Sequence, residues 1–201
     1  MMAPGETDAN ARTSTWLDDR AGYGIISRTL HWLMAALFAW QFTSALCNQF
    51  APETALRNFF WSMHFNFGII LWCLVFLRGT WGLINLSRRP PYEGPRVQRW
   101  AAGIVHFALY VLMVTIPSLG LLRAYGSERG MRFFGQQIFN PRGQEIEPLV
   151  ALGNALHGEL GYTLLVLVAG HVTMALWHGF VRRDGILQRM TRGDERVVSM
   201  V

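Results

Sequence analysis

Leu156–His178 reads LHGELGYTLLVLVAGHVTMALWH. A helix over this stretch is long enough to cross a hydrocarbon layer of about 30 Å at a rise of about 1.5 Å per residue. It is apolar on nearly every side, which excludes a surface amphipathic helix. A soluble core does not need uninterrupted runs of this length, but a bilayer span does. The run is broken by His157, His171 and His178. Ionisable side chains are costly inside a bilayer, and those found there usually serve a function. The stretch is therefore a membrane span that carries chemistry.

Three further apolar runs lie upstream. The first, about Ile26 to Cys47, includes LHWLMAALFAW; the second, Phe59 to Leu77, is FFWSMHFNFGIILWCLVFL; the third, Trp100 to Leu122, is WAAGIVHFALYVLMVTIPSLGLL. The fourth run extends over about Leu149 to Val181. The expected fold is all-α, an integral membrane four-helix bundle. It comprises an N-terminal arm over residues 1–25, a transmembrane domain over 26–182 and a tail over 183–201. Composition agrees: of 201 residues, 51% are hydrophobic and only 15% charged, against roughly 25% charged in soluble domains.

All eighteen basic residues are arginine. They lie between the apolar runs and not along one face, so the basic balance signals membrane orientation and not nucleic acid. Thirteen arginines fall in the N-terminal arm, the loop between spans two and three, and the tail; Arg57, Arg123, Arg129, Arg132 and Arg142 fall on the other side. Both termini are expected in the cytoplasm. Trp32, Trp81, Trp100 and Trp177 fall near that boundary and Trp61 near the opposite one, as interface anchors. The polar arm does not read as a signal peptide, so span one is expected to be retained. Cys47 and Cys73 form no CxxC or CxxCH, which excludes the usual covalent haem attachment. The loop from about Arg123 to Pro148 reads as an ordered cap over the mouth of the bundle, and Ser87 to Pro95, with three prolines, as a plain connector.

All six histidines lie inside the spans: His31, His64, His106, His157, His171 and His178. His157 and His171 are fourteen residues apart, a rise of about 21 Å that falls about 40° short of four full turns. That places two imidazoles on one face at two depths. Haem needs two axial nitrogens from facing helices at one depth, and imidazole is a standard haem ligand. His64 and His157 share the outer depth and pair. His31 and His171 share the cytoplasmic half and pair. Small residues stand one turn beyond each: Gly68, Gly161, Ala35 and Ala175. His178 competes with His171 for the inner position, but a His157 and His178 set would be about 31 Å apart, nearly the full hydrocarbon thickness, so His171 is preferred. His106 is a candidate hydrogen-bond partner.

Other chemistries fit less well. Zinc favours a compact set with added cysteine or carboxylate ligands, and Glu159, two residues from His157, is turned away by helical geometry. Proton transporters use intramembrane acids, and spans one to three contain none.

SRTLHW (Ser27–Trp32), MHFNFGIILWCLVFLRG (Met63–Gly79), GIVHFALYVLMVTIPSLG (Gly103–Gly120) and LHGELGYTLLVLVAGHVTMALWH together resemble the bacterial cytochrome b561 family, which is related to the membrane cytochrome b subunits of nickel–iron hydrogenases. The likeness covers about residues 24–190. It implies a four-helix inner-membrane cytochrome with two b-type haems, His31 and His171 holding the cytoplasmic-side haem and His64 and His157 the periplasmic-side one. It also implies a quinone pocket near His178, and near His106, on the cytoplasmic side. Some members carry a second histidine where this chain has Gly103.

The expected function is electron transfer through both haems between a periplasmic donor or acceptor and the quinone pool; some members resemble superoxide oxidases that reduce ubiquinone. The alternative is a di-haem anchor subunit of a periplasmic enzyme such as a hydrogenase, and the remote one a haem-free transporter. Arg28, Arg99, Arg123 and Arg182 are candidates to pair with haem propionates.

Overall fold

The computed structural model describes residues 16–20, 22–91 and 94–192. Most of the N-terminal arm and the end of the tail, with Arg12 and Arg196, lie outside the described residues. The helices are α1 (Ile25–Phe50), α2 (Ala55–Ser62), α3 (His64–Ile84), α4 (Arg96–Gly126), α5 (Glu147–Leu176) and α6 (Ile186–Thr191). A hairpin of β1 (Met131–Phe133) and β2 (Gln136–Phe139) stands between α4 and α5. Four helical segments are long and apolar enough to cross a membrane: α1, α2 with α3, α4, and α5 with the turn that follows it.

The second span is not one straight helix. It breaks at Met63, immediately before His64. No glycine or proline marks the place, so the apolar run reads straight through it. The break is held by α1. Trp40 Nε1 donates to the Phe60 carbonyl, the acceptor that His64 N–H would use in a continuous helix. Gln41 Nε2 donates to the His64 carbonyl at 2.8 Å. In α4, Pro117 lacks the N–H that would continue the helical ladder. Beyond α5 the chain makes one wide π-turn, Trp177–Arg182, and leaves the helix through left-handed Arg183 (φ 53°) and Gly185 (φ 80°).

α4 packs most extensively on α5, α1 on α3, and α3 on α4; α5 makes no comparable pairing with α1 or α3. Glycines let α4 and α5 approach: a Cβ on Gly153 would stand 2.6 Å from Arg123 Cβ. The core of Met34, Leu71, Val75, Leu109, Met113, Ile116 and Leu164 fills the middle of the bundle.

At one end, here the hairpin end, the Phe134–Gly135 turn has positive φ at both residues, the geometry of a tight hairpin. Phe134 N–H donates to Asn66 Oδ1, which docks the hairpin on the start of α3. The expected cap is thus an ordered hairpin. At the other end, the tail end, α6 joins the start of α1. Arg28 and Trp32 donate to the carbonyls of Thr191 and Met190. Arg189 donates to the Pro91 carbonyl, so the proline connector is fastened there too. The two described chain ends therefore share one end of the bundle.

Candidate functional site

Two facing histidine pairs cross the space between α5 and its neighbours. At the hairpin end, His64 of α3 faces His157 of α5 with ring centres 6.3 Å apart. At the tail end, His31 of α1 faces His171 of α5 at 6.4 Å. With a metal–imidazole bond of about 2 Å and roughly 1 Å more from nitrogen to ring centre, two imidazoles on opposite sides of one metal stand about 6 Å apart.

The hairpin-end rings are each anchored through Nδ1. His157 Nδ1 lies 2.8 Å from the Ile116 carbonyl, which can only accept, so Nδ1 carries the proton. Ser44 Oγ donates to the Gln41 carbonyl, so its lone pair accepts from His64 Nδ1. Both Nε2 atoms are left unprotonated, as metal ligation requires. Ser44 is fully buried. Gly120 makes room for His157: a Cβ there would come within 3.0 Å of its ring. Trp61 stacks on His64 at 4.7 Å and 18°.

The tail-end pair is held differently. His31 Nδ1 is buried without a hydrogen-bond partner among the described residues. His171 touches the rings of His31 and, at 5.2 Å, of His106. The His106 ring is too close to His171 for the two to flank one metal, and its Nδ1 donates to the Ala102 carbonyl. His178 stands apart in the π-turn, where its Nδ1 donates to Asp184 Oδ2. Burial works to raise the Asp184 carboxyl, but the hydrogen bonds from His178 and from Ile186 N–H, with the charges of His178 and Arg182, hold it below its ordinary value.

The four arginines considered for propionates are dispersed. Arg28 reaches Thr191, Arg182 donates to Gln98 Oε1, and Arg123 packs on Gly153 near His157. Arg99 is exposed. Sequence reasoning missed Ser44, the Ile116 carbonyl, Asp184 and Arg78. The signal for Arg78 was available: it lies fourteen residues past His64, the interval that separates His157 from His171.

The donors fit haem. Two imidazoles face each other at each level, no group of three or more metal-binding side chains exists among the described residues, and α5 stands off from α1 and α3. A Cβ on Gly161, one turn past His157, would meet nothing within 4 Å, so a flat ring can lie against the helix there.

Apolar spans that present opposed imidazoles define a membrane cytochrome as the class of protein. Residues 22–193 match the prokaryotic cytochrome b561 family, and the chain belongs to that family. It is 29% identical to cytochrome b561 homolog 2 of Escherichia coli K12 over 84% of this chain and 90% of that one. It is 26% identical to cytochrome b561 homolog 1 of the same organism over 80% and 92%. It is 25% identical to the probable superoxide oxidase CybB of Yersinia pestis over 84% and 94%. The protein is accordingly a multi-pass inner-membrane cytochrome that uses b-type haem and transfers electrons.

Proposed function

We propose that the protein carries electrons between a periplasmic partner and the quinone pool through two b-type haems, one held by His64 and His157 and the other by His31 and His171. The observation that carries this reading is the pair of ring separations, 6.3 and 6.4 Å. When bound, haem supplies a one-electron carrier at each level. His64 with His157, and His31 with His171, would hold the iron through imidazole on both sides and leave no position for oxygen, which would confine the chemistry to electron transfer. The levels lie about 21 Å apart along α5.

The arginine excess at the tail end supports a cytoplasmic location for both termini and a periplasmic one for the hairpin. His178 and His106 then lie on the cytoplasmic side, where a quinone takes up or gives up protons with its electrons. His178, fixed by Asp184, is suited to hold such a proton. The likeness to a probable superoxide oxidase supports superoxide as a periplasmic donor, and ubiquinone is the acceptor we propose with it.

Quinol-driven reduction of the haems tests the quinone half of this reading. His178→Ala should slow it while both haems remain bound. Unchanged kinetics in that variant would contradict it.

A further inference from the structure

The tail-end site contains a cation that neither the fold nor the histidine pairs account for. Fourteen residues of α3 separate His64 from Arg78, about 21 Å and nearly four turns. α3 thus presents a histidine at the hairpin-end level and, on almost the same face, an arginine at the tail-end level. Arg78 is half-buried and within electrostatic reach of both His31 and His171.

Among the described residues no carboxylate answers its charge. The ionisable neighbours that act on it most strongly are Tyr110, Arg89 and Tyr23. Arg89 brings a second guanidinium, which lies over Gly82, one turn past Arg78. The one ion pair among the described residues is His178 with Asp184. Asp18, the buried acid at this end, is committed to the Gly24 N–H. A guanidinium withdrawn from water is costly unless an anion pairs with it. One guanidinium within reach of a facing histidine pair, with a second near it over Gly82, matches a ligand that bears carboxylates, because the planar fork of arginine holds a carboxylate through two parallel bonds. Haem carries two propionate carboxylates.

We infer that Arg78 binds a propionate of the haem held by His31 and His171, with Arg89 as the second cation, and thereby sets that haem's potential apart from the other's. This rests on the haem assignment proposed above. A fixed cation favours the iron that has gained an electron, so removing it lowers the midpoint. Its reach is local, and the His64–His157 level, about 21 Å away, is unaffected.

The test is a potentiometric titration of the purified full-length protein, followed in the visible spectrum. Arg78→Gln should shift the reduced-to-oxidised ratio of one haem at least tenfold toward oxidised, about 59 mV for one electron, and leave the other unmoved. Arg78→Lys should recover most of the shift. In a His64→Ala background the surviving haem should be the one that moves. Loss of that haem alone in Arg78→Gln, with recovery in Arg78→Lys, reads the same way. Two haems with unmoved midpoints in Arg78→Gln would overturn the inference alone, as would loss of both haems from either Arg78 variant. A wild-type chain with fewer than two haems would overturn the assignment beneath it.

Discussion

The two ends of the bundle present histidine pairs at nearly the same separation, 6.3 and 6.4 Å, yet hold them by different means. At the hairpin end each Nδ1 is tied: His64 to Ser44, whose hydroxyl is tied in turn to Gln41, and His157 to the Ile116 carbonyl. Both rings have one tautomer and little freedom to rotate. At the tail end His31 Nδ1 has no partner among the described residues, and one guanidinium, that of Arg78, is within reach of both rings. Equal spacing therefore does not mean equal preorganisation. One pair is fixed by hydrogen bonds, which govern ligand strength and orientation. The other lacks such an anchor on His31 and lies beside Arg78.

Breaking a pair should have the largest effect. His157→Ala and His171→Ala should each halve the haem content measured by pyridine haemochrome, and the spectra of the two variants should be complementary. His178→Ala should retain both haems, since its ring is held by Asp184 outside the pairs.

Loosening an anchor should come next. Ser44→Ala removes the acceptor of His64 Nδ1. Loss of such an outer partner typically weakens metal affinity about 10–100-fold, so haem should leave the hairpin-end site first when the protein is titrated with apomyoglobin. If both sites lose haem in step, the hydrogen bond does not distinguish them.

Crowding the ring should have a smaller effect. In Gly120→Ala the new Cβ would stand 3.0 Å from the His157 ring, which must give way by a few tenths of an ångström. Overpacking of this kind costs about 1–3 kcal/mol. The low-spin signal of the hairpin-end haem should shift in electron paramagnetic resonance while that of the tail-end haem stays in place.

The weakest expected effect concerns pH. The Asp184 carboxyl is held below its ordinary value by His178. Its contact is therefore fully present above the usual aspartate range and is lost only as pH falls through the lowered value. Quinol-driven reduction should show no step from Asp184 between about pH 5 and 8. A carboxyl infrared band that titrates in that range and is missing from Asp184→Asn would reverse the sign of this coupling.

The four spans were legible from apolar length alone, because hydrocarbon thickness dictates it. The opposition of His31 to His171 and of His64 to His157 was legible from depth and the fourteen-residue interval on α5, because a helix of fixed pitch turns spacing into geometry. The break at Met63 was not, since it depends on Trp40 and Gln41 of another helix taking carbonyls of the second span. Nor was Ser44, which reads as one more small residue in an apolar run until α1 is laid against α3. Arg78 was counted among the orienting arginines because its interval from His64 acquires meaning only once a partner level exists on α5. What the sequence left hidden is chiefly the set of contacts between helices, which no periodicity within one helix encodes.

Haem content decides whether four histidines hold two haems in opposed pairs, as we propose. The direct measurement is the ratio of b-type haem to polypeptide in the purified wild-type protein, compared with His157→Ala, His171→Ala and His178→Ala prepared alike. Two haems per chain are expected in the wild type and in His178→Ala, and one in each of the other variants. One haem or none in the wild type, or loss of a haem from His178→Ala while His171→Ala keeps both, would contradict it.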